Sequence, residues 1–113
     1  MRLQPRIQEN EIYKCINCDS TYQYVDIQRE WRCPKCDKFL YIKVEIKGYE
    51  HSVQRVTPDS IRIGEIITLE NEFIHEILNI EKKGNSYRLA LKEYRVIEID
   101  SNSIITRVEG SWF

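Results

Sequence analysis

The sequence predicts an all-β protein: a small four-cysteine metal-binding module at the N-terminal end, followed by a small β-barrel. Three observations carry this expectation. Cys15-Ile-Asn-Cys18 and Cys33-Pro-Lys-Cys36 form two C-x2-C pairs with fourteen residues between them, the spacing of a four-thiolate metal site. Residues 39–47 alternate apolar and polar side chains, the period-two signature of a strand with one buried face. The rest of the chain breaks into short β-type runs separated by turn residues, a pattern that suggests a barrel or sandwich.

Taken in order, residues 1–10 are polar and lead towards Ile12-Tyr13-Lys14, a strand that reaches the first cysteine pair. Thr21 to Val25 suits a short strand, and Asp26 to Glu30 the end of a hairpin. Leu40, Ile42, Val44 and Ile46 share one face of the next strand, with Tyr41, Lys43, Glu45 and Lys47 on the other. Gly48 is the first glycine and marks an expected boundary between a ribbon, residues 1–47, and a barrel domain, residues 48–113. Ser52 to Thr57 reads as a strand, and Thr57-Pro58-Asp59-Ser60 as a turn. Ile61 to Leu69 reads as a strand bent at Gly64. Residues 72–81 fit both strand and helix spacing. Strand is preferred because Lys82-Lys83-Gly84-Asn85 and the alternating Tyr87, Leu89 and Leu91 follow at once, the pattern of a hairpin. Tyr94 to Asp100 and Ile104 to Glu109 complete the series around Ser101-Asn102-Ser103.

With 17 Lys/Arg against 18 Asp/Glu the net charge is −1, which does not suit an indiscriminate polyanion binder. Residues 1–47 hold nine basic and seven acidic side chains, a balance of +2, and residues 48–113 hold eight and eleven, a balance of −3. No long apolar run announces an export signal or a membrane span. A reducing, cytoplasmic setting is therefore expected, and there paired cysteines read as metal ligands rather than disulfides. Four thiolates favour Zn²⁺ and close its tetrahedral shell, so the ion is expected to be structural. A segment of this size buries too little apolar surface to fold unaided, and metal binding of roughly 10–16 kcal/mol fills that gap in small zinc peptides. Lys14, Arg32, Lys35 and Lys38 flank the ligands and are expected to offset thiolate charge.

Tyr13-Lys14-Cys15-Ile16-Asn17-Cys18, Tyr22, and Trp31-Arg32-Cys33-Pro34-Lys35-Cys36 together resemble a rubredoxin-type zinc ribbon, over residues 11–47. The resemblance implies Cys15, Cys18, Cys33 and Cys36 as the ligands. That family usually places glycine after each second cysteine, where φ tends to be positive; here Asp19 and Asp37 stand instead, and Asp tolerates that conformation better than most residues. True rubredoxins hold iron and carry electrons, with a gap between their cysteine pairs that is typically longer. Residues 55–109, through Ile61-Arg62-Ile63-Gly64-Glu65-Ile66-Ile67 and the hairpin around Gly84, resemble a small SH3-like barrel.

Nothing in the sequence directs attention to catalysis. The histidines, His51 and His75, lack a metalloprotease partner, since Asn79 stands where the second histidine of such a motif would be. The four glycines form no phosphate loop. Glu70 with Glu72, or Glu93 with Glu98, are the acidic pairs, and solvated strand charges explain them. Three non-enzymatic roles remain. The first is a protein-interaction adaptor, to which the terminal Trp112-Phe113 could contribute an aromatic anchor unless the pair folds back on the barrel. The second is a nucleic-acid-binding ribbon that uses Arg29, Arg32, Lys35 and Lys38 with Tyr24 and Trp31. The third is a rubredoxin-like electron carrier.

Overall fold

The computed structural model describes residues 1–27, 31–69 and 73–112. Its strands are β1 (Ile12–Cys15), β2 (Ser20–Tyr22), β3 (Tyr41–Ile46), β4 (Tyr49–Val56), β5 (Ile66–Thr68), β6 (Ile74–Lys83), β7 (Ser86–Leu91), β8 (Val96–Asp100) and β9 (Ile105–Ser111). Among the described residues helix is confined to one α-turn, α1 (Tyr24–Ile27), and a 3-10 turn at Pro58–Ser60. The all-β expectation holds. The nine strands join in one sheet of order β2-β1-β3-β4-β9-β5-β6-β7-β8, and every pairing is antiparallel.

Tight turns set the register. β3 and β4 pair Ile46 with Tyr49, so Lys47 and Gly48 alone make the connection, with φ of +51° and +83°. Two successive positive φ values define the primed hairpin turn that matches strand twist. β6 and β7 meet across Gly84, which has φ of +59°. The ambiguous segment is strand from Ile74 on, with a bulge between Ile77 and Asn79; Glu72 lies outside the described residues.

Two expected strands are corrected. Thr21 to Val25 is strand only to Tyr22, because the chain then turns into α1. The Asp26 carboxylate accepts from the Gln23 N–H at 2.9 Å while the Asp26 N–H donates to the Gln23 carbonyl at 2.9 Å, a reciprocal cap that competes with extension. Ile61 to Leu69 is strand only over β5. Arg62 to Glu65 closes a turn, with Gly64 at φ +92°, the Glu65 N–H donating to Arg62 O at 3.2 Å and the Glu65 carboxylate accepting from the Arg62 N–H. Gly64 N–H and Glu65 O are then spent on Ile77 of β6. The expected hairpin end at residues 26–30 falls mostly outside the described residues.

Side chains sort into two cores. The first holds Tyr13, Cys15, Ile27, Trp31, Cys33, Leu40, Ile42, Val44, Ile46 and Val53. The second includes Val56, Ile61, Ile67, Ile77, Leu89, Ile99 and Ile105. β4 serves both: Val53 and Val56 differ in parity and so point to opposite faces, which explains why Ser52 to Val56 are all buried.

The first ten residues form a strap across these elements rather than a simple lead-in. Asp100 N–H donates to Met1 O at 2.8 Å and Ile104 N–H to Leu3 O at 2.9 Å. The Gln8 side-chain amide then bonds both the N–H and the carbonyl of Glu45, each at 2.8 Å. It acts as a stand-in peptide group on β3 beyond the end of β1. Sheet edges left unpaired invite unwanted pairing, and a covering segment prevents it.

Candidate metal centre

Two hairpin-like turns bring the four cysteines together. β1 delivers Cys15, and the turn through residues 16–19 returns the chain to β2 with Cys15 opposite Ser20. In the second, Cys33 N–H donates to Lys38 O at 2.8 Å and Asp37 N–H to Cys33 O at 2.9 Å, while Arg32 and Phe39 form a bridge at its base. Asp19 and Asp37, each just after a second cysteine, have φ of +49° and +62°. The left-handed conformation expected at these two positions is present.

The four Sγ atoms all lie within 4.8 Å of one another. Cys15 and Cys36 approach to 3.5 Å, and Cys18 and Cys33 to 4.0 Å. A tetrahedral ion with Zn–S bonds of about 2.3 Å requires edges of about 3.8 Å, so the sulfurs fit such an ion. All four cysteines are free. Cys15 and Cys33 are buried, and Cys18 and Cys36 are partly exposed. Backbone N–H groups point at the sulfurs: Cys18 N–H to Cys15 Sγ and Lys35 N–H to Cys33 Sγ, both at 3.4 Å. The Tyr22 hydroxyl lies 3.3 Å from Cys33 Sγ.

These contacts divide the thiols. The Cys18 thiol is pushed up to about 12, first by its hydrogen bond with Cys36 and then by burial. Burial raises Cys15 as well. At Cys33 burial acts upward but is outweighed by the Tyr22 hydroxyl and the backbone N–H groups of Cys36 and Lys35, which bring the thiol down to about 6. Cys36 is lowered chiefly by the Lys38 N–H. Crowded sulfurs cannot all ionise without a compensating charge, and a divalent cation supplies it.

The flanking cations are partly committed elsewhere. The Arg32 guanidinium lies 4.2 Å over the Phe39 ring and donates to Asp37 O at 3.2 Å. Trp31 is buried, with ring centroids 6.1 Å from Tyr13 and 6.0 Å from Tyr24. Tyr24 is about half exposed. Arg29 lies outside the described residues, as do Glu70, Glu72 and Phe113, and Trp112 is partly buried.

No spacing pattern in the sequence marks Arg55. It is the largest fully buried side chain among the described residues. It donates through two nitrogens to Glu11, at 2.8 Å and 2.5 Å, and both side chains are essentially inaccessible, at 0% and 1%. The Tyr13 hydroxyl donates to the same carboxylate at 2.5 Å, and burial, then this bond, raises the Tyr13 phenol. The guanidinium carbon stands 4.5 Å over the Trp31 ring. One signal lies in the sequence: Glu11, Tyr13 and Cys15 alternate, so they share the face that carries a cysteine of the quartet.

Neither histidine joins the cysteines in the cluster. Nδ1 of His51 is 3.0 Å from the Tyr49 carbonyl, and Nδ1 of His75 is 3.3 Å from the Lys92 carbonyl, with its ring 4.6 Å from Tyr94. Among the described residues no helix is long and apolar enough to cross a membrane. The chain matches no family model, no curated protein and no solved structure.

Proposed function

We propose that the quartet holds one structural Zn²⁺ and that the chain is a non-enzymatic protein-interaction adaptor, a zinc ribbon over residues 1–47 joined to an SH3-like barrel over residues 48–113. The observation that supports this reading is the sulfur geometry: four sulfurs within 4.8 Å of one another are as many donors as a tetrahedral ion takes, which favours a closed, structural shell over one open to water or substrate. Soft thiolate donors favour zinc over hard cations. The barrel reading draws support from the strand order, in which β9 returns beside β5 and β6 to β8 continue as a meander.

A protein partner suits the exposed aromatic surface. Phe73, His75 and Tyr94, with Leu69 and Ile97 beneath, line a groove of about 210 Å³. Phe73 and Tyr94 are exposed, and aromatic side chains commonly dominate protein interfaces. The acidic balance of residues 48–113 also favours protein over nucleic acid. A nucleic-acid reading keeps one observation in its favour: Arg32, Lys38, Phe39 and Tyr41 line a common hollow beside Cys15. It ranks second because the Trp31 ring is covered by Arg55 and unavailable for base stacking.

The test sets the two side by side on zinc-loaded protein. Peptides selected from a displayed library are expected to bind, and to lose binding with Phe73→Ala or Tyr94→Ala. Short oligonucleotides are expected not to bind near roughly 50 mM salt. Oligonucleotide binding that weakens with salt and disappears with Arg32→Ser and Lys38→Ser would reverse the ranking. A red, iron-loaded, reversibly reducible product would instead support electron transfer.

A further inference from the structure

We propose that Arg55 makes the second core dependent on metal in the first, so that loss of the ion loosens β4 and β9 as well as the ribbon. The inference rests on the metal reading above and extends it from a local staple to a metal-responsive joint.

The charge of Arg55 is held mainly by residues tied to the cysteines. Glu11, four residues before Cys15, accepts both guanidinium bonds. Tyr13, two residues before Cys15, orients that carboxylate through its hydroxyl. Trp31, two residues before Cys33, lies against the guanidinium face. Beyond these, Arg55 reaches the Arg6 carbonyl at 3.4 Å, and its Nε is buried without a hydrogen-bond partner. Arg55 itself is opposite Thr106 in the β4–β9 ladder, next to Val56, which faces the second core.

Trp31 also carries strain. Its φ is +57°, a left-handed conformation that a bulky L-residue keeps only when its surroundings impose it. Here the surroundings are the rings of Tyr13 and Tyr24, the guanidinium, and the Leu40 N–H bond to the Trp31 carbonyl at 3.0 Å. Without the cation, the sulfurs no longer hold Cys15 and Cys33 in place, and Trp31 relaxes. Glu11 then leaves the guanidinium, and a buried charge without its partner is strongly unfavourable. The escape open to Arg55 is to move outward with its strand, which breaks the β4–β9 ladder. Val53 of β4 and Val108 of β9 also touch the first core, so the share of the response that belongs to Arg55 is the share that removing the ion pair abolishes.

Amide hydrogen exchange on the full chain, zinc-loaded and chelated, tests this. Chelation is expected to speed exchange in β4 and β9 by about 100-fold. With Glu11→Met and Arg55→Met combined, zinc binding is expected to persist and the β4 and β9 response to fall below about threefold, because well-packed apolar residues can replace a buried ion pair. If that double variant does not fold, Glu11→Gln with Arg55→Gln takes its place, with a response expected at least tenfold weaker than wild type because neither side chain then carries a charge to be stranded. Unchanged β4 and β9 protection in chelated wild type, or a variant that responds like wild type, overturns the proposal. Co²⁺ substitution separates the two failures. An absent thiolate charge-transfer band removes the metal reading, whereas bound Co²⁺ with unresponsive strands removes this inference alone.

Discussion

The hydroxyl of Tyr22 stands 3.3 Å from Sγ of Cys33, and each alters the other. The Tyr22 phenol is pushed up to about 12, chiefly by this hydrogen bond, so it remains protonated at neutral pH and donates to the sulfur. Groups that bond to a ligand atom tune metal affinity by about 10–100-fold. Tyr22→Phe keeps the ring against the first core and removes only the donor. Zinc affinity, read by competition with a chromophoric chelator, is expected to fall about tenfold. A change below twofold would show that the backbone donors alone satisfy Cys33.

Zinc loading is expected to reach one ion per chain and to release at least two protons at pH 7.5, because Cys15 and Cys18 are the raised thiols. Calorimetry in buffers of different ionisation enthalpy measures that count. The sign for Cys33 is opposite. In metal-free protein its thiol falls from the ordinary 9.0 to about 6, so its contribution to the stability of that form is complete above 9 and is lost as pH falls through 6. Stability that grows as the pH is lowered from 9 to 6 would contradict this.

Removing Arg55 alone tests the buried pair. Arg55→Met leaves the Glu11 carboxylate inaccessible and without its cation, and stability is expected to fall by about 3–5 kcal/mol. By contrast Lys43→Met, which breaks the partly exposed pair with Glu50 at 3.3 Å, is expected to cost less than about 1 kcal/mol. Urea melts of the two variants give the comparison. Equal losses would mean that the Glu11–Arg55 contact has no special weight.

Asp37 lies at φ +62° after the last cysteine, with its side chain 82% exposed and 3.9 Å from Arg32. That ion pair contributes little at such exposure and distance. Asp37→Gly is therefore expected to be neutral or to stabilise by up to about 1 kcal/mol, while Asp37→Val is expected to destabilise by about 1 kcal/mol or more. Thermal melts of zinc-loaded protein decide this. A stable valine variant would remove the conformational argument.

Features of short range were legible. The cysteine spacing needs only two tight turns, and the alternation of Leu40, Ile42, Val44 and Ile46 shows directly which face is buried. Features that depend on a distant partner were not. Tyr24 and Val25 have strand-like side chains, yet a cap between Gln23 and Asp26 turns them into α1. Ile61 and Ile63 look like strand residues, but the backbone beside them is committed to Ile77. Trp31 and Arg32 resembled a nucleic-acid surface in sequence, and the fold uses both against Arg55 and Phe39.

By itself, then, the chain determined a sulfur quartet and an all-β character, because both follow from spacing and alternation over a few residues. Only the tertiary structure decided that β4 is buried on both faces and that Arg55 pairs with Glu11, forty-four positions away. No local pattern encodes such a pairing. A buried arginine is tolerable only where an acid from elsewhere in the chain arrives to neutralise it, and the fold alone supplies that meeting.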